Sequence, residues 1–379
     1  MKKGLKKTSL AVLATFTLGL LLAGCGGADN AEQGAADGEQ TNDKVKAGFI
    51  YIGSAKDGGY SQVHDDGRLE MIANIGEDKV ETLVREDVPE NQTVENVMNE
   101  MIDQGANIIF ANSYGFQDYV KKVAEAHPDV KFMHFSGSIL GDNYGNYFGR
   151  MYQPRYLSGI AAGMTTENDK IGFVAAMPTP EVIRGINAFT LGVRSVNPEA
   201  TVQVVWTNTW YDPAVEKQAA ESLLDAGVDT VAQHQNTTAA VQAAGERGAY
   251  SVGYNLDMRE ANPEGFIVSP VWHLGAIYTE QVQSVLDGTW EATSYWGGIA
   301  EGAVDISEFG DCVSEETKAA VTEAREKIIS GEFDVFAGEI KDQNGNVMVA
   351  EGATLSDEEL LKMTWFVEGV VGDTTMTQQ

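Results

Sequence analysis

The sequence predicts an α/β protein made of two doubly wound parallel-sheet lobes joined by crossover hinges. Three observations lead there: an internal repeat, the continuous apolar runs inside each copy, and length. The roughly 330 residues that read as ordered are too many for one core. In the repeat, "MIDQGANIIFANSYGFQDYVKKVAEAHPDVKFMHFSG" (Met101 to Gly137) overlays "LLDAGVDTVAQHQNTTAAVQAAGERGAYSVGYN" (Leu223 to Asn255) without a gap at its start. Each copy reads as a helix end, an Asp-x-Gly stop, an apolar strand, a polar loop, an amphipathic helix and another strand. The glycine supplies a left-handed cap, and an unbroken apolar run suits a parallel strand buried on both faces. Upstream, "AGFIYIG" (Ala47 to Gly53) matches "IGFVAAM" (Ile171 to Met177), and "VETLVREDVPE" (Val80 to Glu90) matches "VQVVWTNTWYD" (Val202 to Asp212). Each copy is therefore a βαβαβαβ unit.

In chain order, residues 1–24 read as a leader. Lys2, Lys3, Lys6 and Lys7 form a basic start, and the apolar run from Leu10 to Leu22 fits a signal core and is short for a membrane span. It closes on Leu22-Ala23-Gly24-Cys25, a sequence similar to a bacterial lipobox. In that reading Cys25 is diacylated and heads the mature chain, and two acyl chains anchor stably where one is marginal. The other reading is an ordinary secretory signal with a chance cysteine. Residues 25–43, poor in large apolar side chains, form a tether. The bilobal domain spans 44–372, with lobe one at about 44–150 and 256–305 and lobe two at about 165–255 and 306–372. One crossover falls near Tyr144 to Arg155, and residues 373–379 are a tail. Cys312 is the other of two cysteines, so no disulfide framework exists; it reads as a small half-buried apolar residue.

The net charge is −30, and removal of the leader with its lysines would leave the mature chain more negative still. Nucleic acid and anionic lipid surfaces need basic patches and are excluded as partners. The acidity suits a well-solvated surface.

Open α/β sheets bind ligands at the carboxyl ends of their strands, and two facing lobes bring both sets of loops to one cleft. Lobe one offers "GSAKDGGYSQ" (Gly53 to Gln62), "ANSYGF" (Ala111 to Phe116) and "HFSGS" (His134 to Ser138). Lobe two offers "MPTPE" (Met177 to Glu181), "TNTWYD" (Thr207 to Asp212), "QHQNTT" (Gln233 to Thr238) and "YNLDM" (Tyr254 to Met258). Asp212-Pro213 starts a helix, which puts Trp210 in the loop facing the cleft, whereas Trp206, still on its strand, reads as core. Tyr60 and Trp210 are the candidate stacking pair, the alternative for Tyr60 being a rim tyrosine. Asn112, Ser113, His234 and Gln235 are candidate polar contacts; for each, loop-stabilising hydrogen bonding is the competing reading. The loops hold amides, hydroxyls and few charges, which suits a planar, polar, unphosphorylated ligand.

No P-loop, G-x-S-x-G elbow or H-E-x-x-H occurs, and the five histidines are scattered. His64, beside Asp65 and Asp66, starts a helix as readily as it would bind metal. Binding without catalysis is expected, with no cofactor and no metal.

The lipobox, the strand with "GSAKDGGYSQ", and the closing "QNGNVMVAEGATLSDEELLKMTWFVEGVVG" (Gln343 to Gly372) with its Asn344-Gly345 hairpin turn resemble the basic membrane protein family. Members are lipid-anchored substrate-binding proteins of ABC importers with the type I periplasmic-binding-protein fold, and commonly bind purine nucleosides or nucleobases. The resemblance implies an ABC permease and ATPase as partners, a monomer, and a place on the extracytoplasmic face of the cell membrane. Their first loop is similar to G-S-F-N-D-x-S-F-N, which carries ligand contact over to Asp57 and Tyr60, with Ser61 and Gln62 next in the chain. Trp210 matches the second aromatic. The family's G-V-D-x-D-Q resembles "GYNLDM", so Asn255 replaces the first acid and Asp257 keeps the second. Where nucleoside binders resemble S-V-x-K, this chain has "SPVWH" with Trp272 in place of the lysine that reaches the ribose. That departure implies a free nucleobase, adenine-like, as ligand, with nucleoside as the alternative. A lipid-anchored sensor without transport and a secreted nucleoside hydrolase are the competing classes.

Overall fold

A computed structural model describes residues 44–374. The expected leader, Cys25, the tether and residues 375–379 of the tail lie outside the described residues. The first lobe runs through β1 (Val45–Tyr51), α1 (Tyr60–Ile75), β2 (Val80–Arg85), α2 (Thr93–Asp103), β3 (Ile108–Asn112), α3 (Gln117–Ala126), β4 (Lys131–Phe135) and β5 (Tyr144–Gly149). The second runs through α4 (Tyr152–Thr165), β6 (Lys170–Ala175), α5 (Pro180–Val196), β7 (Thr201–Trp206), α6 (Pro213–Asp225), β8 (Thr230–His234), α7 (Ala239–Glu246), β9 (Tyr250–Val252) and β10 (Phe266–Val268). The chain then passes β11 (Pro270–Trp272), α8 (Gly275–Leu286), β12 (Ser294–Gly297), β13 (Val304–Ile306) and α9 (Glu315–Ser330). It ends with β14 (Ile340–Lys341), β15 (Val347–Val349), α10 (Asp357–Leu361) and β16 (Val370–Val371).

Two six-stranded parallel sheets result, ordered β12-β5-β4-β3-β1-β2 and β10-β9-β8-β6-β7-β16. The repeat is visible in the pairing: β2-β1-β3-β4 in one sheet corresponds to β7-β6-β8-β9 in the other. The central strands are buried on both faces, as their apolar runs require. Both Asp-x-Gly stops act as read from sequence, with Gly105 at φ +88° and Gly227 at φ +91°. The Asn344-Gly345 turn closes the β14–β15 hairpin with Gly345 at φ +83°.

The lobes divide later in the chain than the sequence suggested. Phe266–Val268, expected in lobe one, is fully buried and extends the second sheet beside β9. The chain returns to the first lobe only through β11, which pairs antiparallel with β13 at the crossover. α4 packs on α5 with glycines at the contact: a Cβ on Gly159 would lie 2.1 Å from the Phe189 carbonyl oxygen, and one on Gly192 2.0 Å from that of Tyr156. The backbones meet because no side chain separates them. Cys312 is half-buried and free. Among the described residues no helix is long and apolar enough to cross a membrane.

The first lobe's core holds a polar network under α1. His64 Nδ1 lies 2.6 Å from the Tyr278 hydroxyl, and the Tyr147 hydroxyl donates to Asn112 Oδ1 at 2.6 Å. Burial pushes the His64 imidazolium down to about 3 and that of His134 down to about 4, the latter against a bond to the Ser113 carbonyl. Both histidines therefore stay neutral in the folded protein, while the unfolded chain protonates them below the ordinary value of about 6.5. Unfolding then takes up protons, so each contributes a loss of about 1.4 kcal/mol per pH unit as pH falls from about 6 toward 4. Chemical denaturation at pH 7, 6 and 5 is expected to show this slope, and His134→Asn is expected to reduce it by about one histidine's share even where it lowers stability at pH 7. An unchanged slope would remove His134 from the account.

Candidate functional site

Where the sheets' carboxyl ends face each other, a cavity with about 360 Å³ of empty space opens between the lobes. Lobe one contributes Tyr60, Ser113, Tyr114, Phe135 and Ser136; lobe two contributes Glu181, Trp210, His234, Asn236 and Tyr254. Five of the walls are tyrosine, phenylalanine or tryptophan rings, and among the described residues no lysine or arginine lines the space.

Each side chain is placed by its loop. The Asp57 carboxylate accepts the backbone N–H of Gly59 (2.8 Å), Ser61 (2.8 Å) and Gln62 (3.1 Å), pinning the first turn of α1, the end where four N–H groups lack partners. Tyr60 is thereby aimed into the cavity, edge-on to Phe135 at 5.8 Å. In lobe two, Asn208 turns left-handed (φ +58°) and Asp212 caps α6 through the N–H of Ala214 and Val215. Trp210 stands between these two fixed points. Trp206 packs instead on Phe366, nearly parallel at 6.2 Å, and its indole N–H donates to the Asp373 carbonyl. Ser136 is a left-handed non-glycine residue (φ +60°) in the cavity wall, the kind of strained backbone that collects at functional sites.

Of the residues singled out from sequence, Tyr60, Ser113, Trp210 and His234 come together at this cavity. The others do not line it. Asp57, Ser61 and Gln62 form the helix brace. Asn112 is fully buried in the tyrosine network. Gln235 donates to Thr207 Oγ1 at 2.7 Å. Asn255, left-handed at φ +73°, accepts the Trp272 indole N–H at 3.1 Å and donates to the Gln235 carbonyl. Asp257 forms an ion pair with Arg259 at the surface. Trp272 is buried behind the cavity wall, 5.0 Å from the Phe135 ring and 5.1 Å from Phe148. Tyr114, Phe135, Ser136, Glu181, Asn236 and Tyr254 were not among the candidates drawn from sequence, although each sits on a strand-end loop that the repeat had marked.

The charges are arranged behind the rings. Arg155 is fully buried, with its guanidinium 3.8 Å over Tyr254, and Nη1 donates to the Gln233 carbonyl at 2.7 Å. A desolvated cation over a ring gains about 2 kcal/mol or more. Burial still pushes its guanidinium down to about 10. Arg184 is buried too, donating to the Leu360 carbonyl and lying 5.1 Å over Trp296. His234 Nε2 faces Glu181 Oε1 at 3.5 Å. Burial lowers the His234 pKa, with Glu181 opposing and both arginines assisting, so the imidazole is neutral at neutral pH. Ser113, on the cavity wall, donates its hydroxyl to Glu90 Oε1 at 2.6 Å.

A family model described as ABC transporter substrate-binding protein PnrA-like, Bmp, matches residues 44–339. The chain belongs to the Bmp family. A protein of Haloferax volcanii named "Putative ABC transporter glucose-binding protein" is 41% identical to this Bmp chain over 337 residues, 89% of this chain and 83% of the relative. A purine-binding protein of Brucella abortus is 39% identical, covering 89% and 95%. A solute-binding protein structure from Aeropyrum pernix superposes with TM-score 0.68 at 20% identity, over 83% of this chain and 97% of that one, and shows the shared fold. As a Bmp protein, the chain is a substrate-binding component of an ABC transporter, a family that is not an enzyme class.

The lobes touch beside the cavity. The Tyr60 N–H donates to the Asn236 carbonyl at 3.3 Å, and a Cβ on Gly59 would come within 2.2 Å of that oxygen. Only glycine allows this backbone-to-backbone approach. Gly59→Ala is expected to hold the lobes apart and weaken ligand binding by roughly tenfold or more, since a binding-competent state that is rarely populated lowers affinity by its fraction. Small-angle scattering with and without ligand should then show less compaction than in the parent protein; equal compaction and affinity would rule the contact out as the closing point.

Proposed function

We propose that this Bmp protein captures a purine nucleobase, adenine-like, in the interlobe cavity and passes it to the permease and ATPase of its importer, binding without chemistry. The observation that carries the reading is the cavity lining: five tyrosine, phenylalanine or tryptophan rings, polar edge groups, and no lysine or arginine. Such walls suit a flat ligand that hydrogen-bonds at its rim, and stacking of a base on one ring is worth about 1–3 kcal/mol. The name of the Brucella abortus relative agrees with a purine. A nucleoside is the second reading, supported by the family resemblance. Against it stands the position of Trp272, which braces Phe135 from behind where nucleoside binders resemble a lysine motif.

The lobes close about the crossover between β5 and α4 and the β11–β13 pair, and the ligand shifts that equilibrium by its preference for the closed form. Diacylated Cys25 holds the protein, a monomer, to the extracytoplasmic face of the cell membrane. Sensing without transport uses the same cavity, and neighbouring permease and ATPase genes separate the two.

Titration calorimetry with adenine, hypoxanthine, adenosine, inosine and glucose tests the ligand class. The bases are expected to bind most tightly; tighter nucleosides would replace the nucleobase reading, and glucose binding alone would end the purine one. Trp210→Ala is expected to weaken base binding by about one to two powers of ten, the worth of one stacked ring. Unchanged affinity would take Trp210 out of the site.

A further inference from the structure

Glu181 is the one carboxylate among the residues that line the cavity. It occupies the first turn of α5, whose start is set by the Thr179 cap and Pro180. His234 Nδ1 has no hydrogen-bond partner among the described residues, while Nε2 faces Glu181. With the ring neutral, the tautomer that carries hydrogen on Nε2 turns its single N–H toward the carboxylate. Arg155 donates Nη1 to the Gln233 carbonyl and lies over Tyr254, its Nε and Nη2 having no hydrogen-bond partner among the described residues, and Arg184 donates to the Leu360 carbonyl and lies over Trp296; among the described residues neither makes an ion pair with Glu181. The carboxylate is thus positioned by His234 and keeps unused lone pairs beside the cavity. An ionised carboxylate only accepts hydrogen bonds, so a ligand that fits must bring a donor.

Taking the purine reading as its basis, we propose that Glu181 is the residue that selects a free base over its nucleoside, by accepting the N–H of the base's five-membered ring. That N–H exists only while the base is free; in a nucleoside the sugar occupies the ring nitrogen. A nucleoside would leave the carboxylate without its donor in a desolvated place, and a site built around a hydrogen bond rejects an analogue that lacks it. Exocyclic groups vary from one purine to another, whereas this donor is common to all free purines, so a site that reads it accepts the class and excludes the sugar.

The test is a cycle of two ligands and two proteins by calorimetry: adenine and 9-methyladenine, against the parent protein and Glu181→Gln, with Glu181→Ala as a second variant that leaves room for the methyl group. Unsubstituted purine, which has the ring N–H and no amine, is added to both. In the parent protein, methylation is expected to cost roughly ten- to a hundredfold, the range for a hydrogen bond to a charged group, while purine binds like adenine within a few-fold. In the variants the methylation loss is expected to shrink to a few-fold. A methylation loss equal in parent and variants would assign it to steric exclusion alone and overturn the role of Glu181, as would purine binding far more weakly than adenine. Failure of adenine to bind the parent protein at all is a different result: it would overturn the purine reading, and this inference with it.

Discussion

The cavity depends on the Asp57 carboxylate. Its two oxygens accept three backbone N–H groups and hold Gly58, Gly59 and Tyr60 in one conformation. One ring, Tyr60, is thereby set against Phe135, and one backbone N–H is set against the carbonyl of Asn236 in the opposite lobe. Burial raises the Asp57 pKa although all three hydrogen bonds favour the anion. Desolvation is thus the larger effect, and the loop holds a charge that water would hold more cheaply. That cost makes sense if the loop's shape matters more than its stability. By family resemblance Asp57 would touch the ligand. In the structure its oxygens are already occupied, and what it governs is where Tyr60 points and how near the lobes can come.

How much of the molecule was legible in the sequence depends on the range of the interactions. The glycine stops at 105 and 227 and the Asp212 cap rest on contacts within a few residues, and they could be read directly, as could the repeat. The crossover at β10 and β11 could not, because Phe266–Val268 is as apolar as any strand and only its pairing with β9 assigns it to a lobe. The site fell between these cases. Every wall residue sits on a loop that the repeat marked, yet which side chain of a loop points inward is decided by backbone turns at Asn208, Ser136 and Asn255. Asparagine and glycine advertise such a turn; a serine in the left-handed region does not, and Ser136 and its neighbour Phe135 went unnoticed for that reason. Tyr254 and Glu181 were hidden for another. Their partners, Arg155 and His234, are distant in sequence, and a buried arginine over a tyrosine leaves no pattern in a linear reading.

The strong acidity and the buried arginines belong to separate parts of the molecule. Most ion pairs involve exposed groups, where solvent screening leaves each worth little. The net charge of −30 therefore acts on solubility far more than on the fold. Arg155 and Arg184 answer to a local need. Their charges lie behind Tyr254 and Trp296, and they add to the burial that keeps His234 from protonating beside Glu181.

Two relatives of nearly equal identity carry names that point to different ligands, a sugar and a purine. Identity near 40% therefore fixes fold and family and leaves the ligand to the strand-end loops, where substitutions leave the sheet cores untouched. The choice has to be made from the shape of the polar surface. A glucopyranose has apolar C–H faces too, but it carries hydroxyls round almost its whole rim, so it needs polar partners in many directions. A purine has two apolar faces and confines its donors and acceptors to a thin edge. Tyr60, Tyr114, Phe135, Trp210 and Tyr254 supply ring surface from both lobes, and the polar side chains among them are Ser113, Ser136, Glu181, His234 and Asn236. A sugar placed there would ask for a partner at each rim hydroxyl, and each one left unmade costs a hydrogen bond. A flat heterocycle leaves none of its faces wanting.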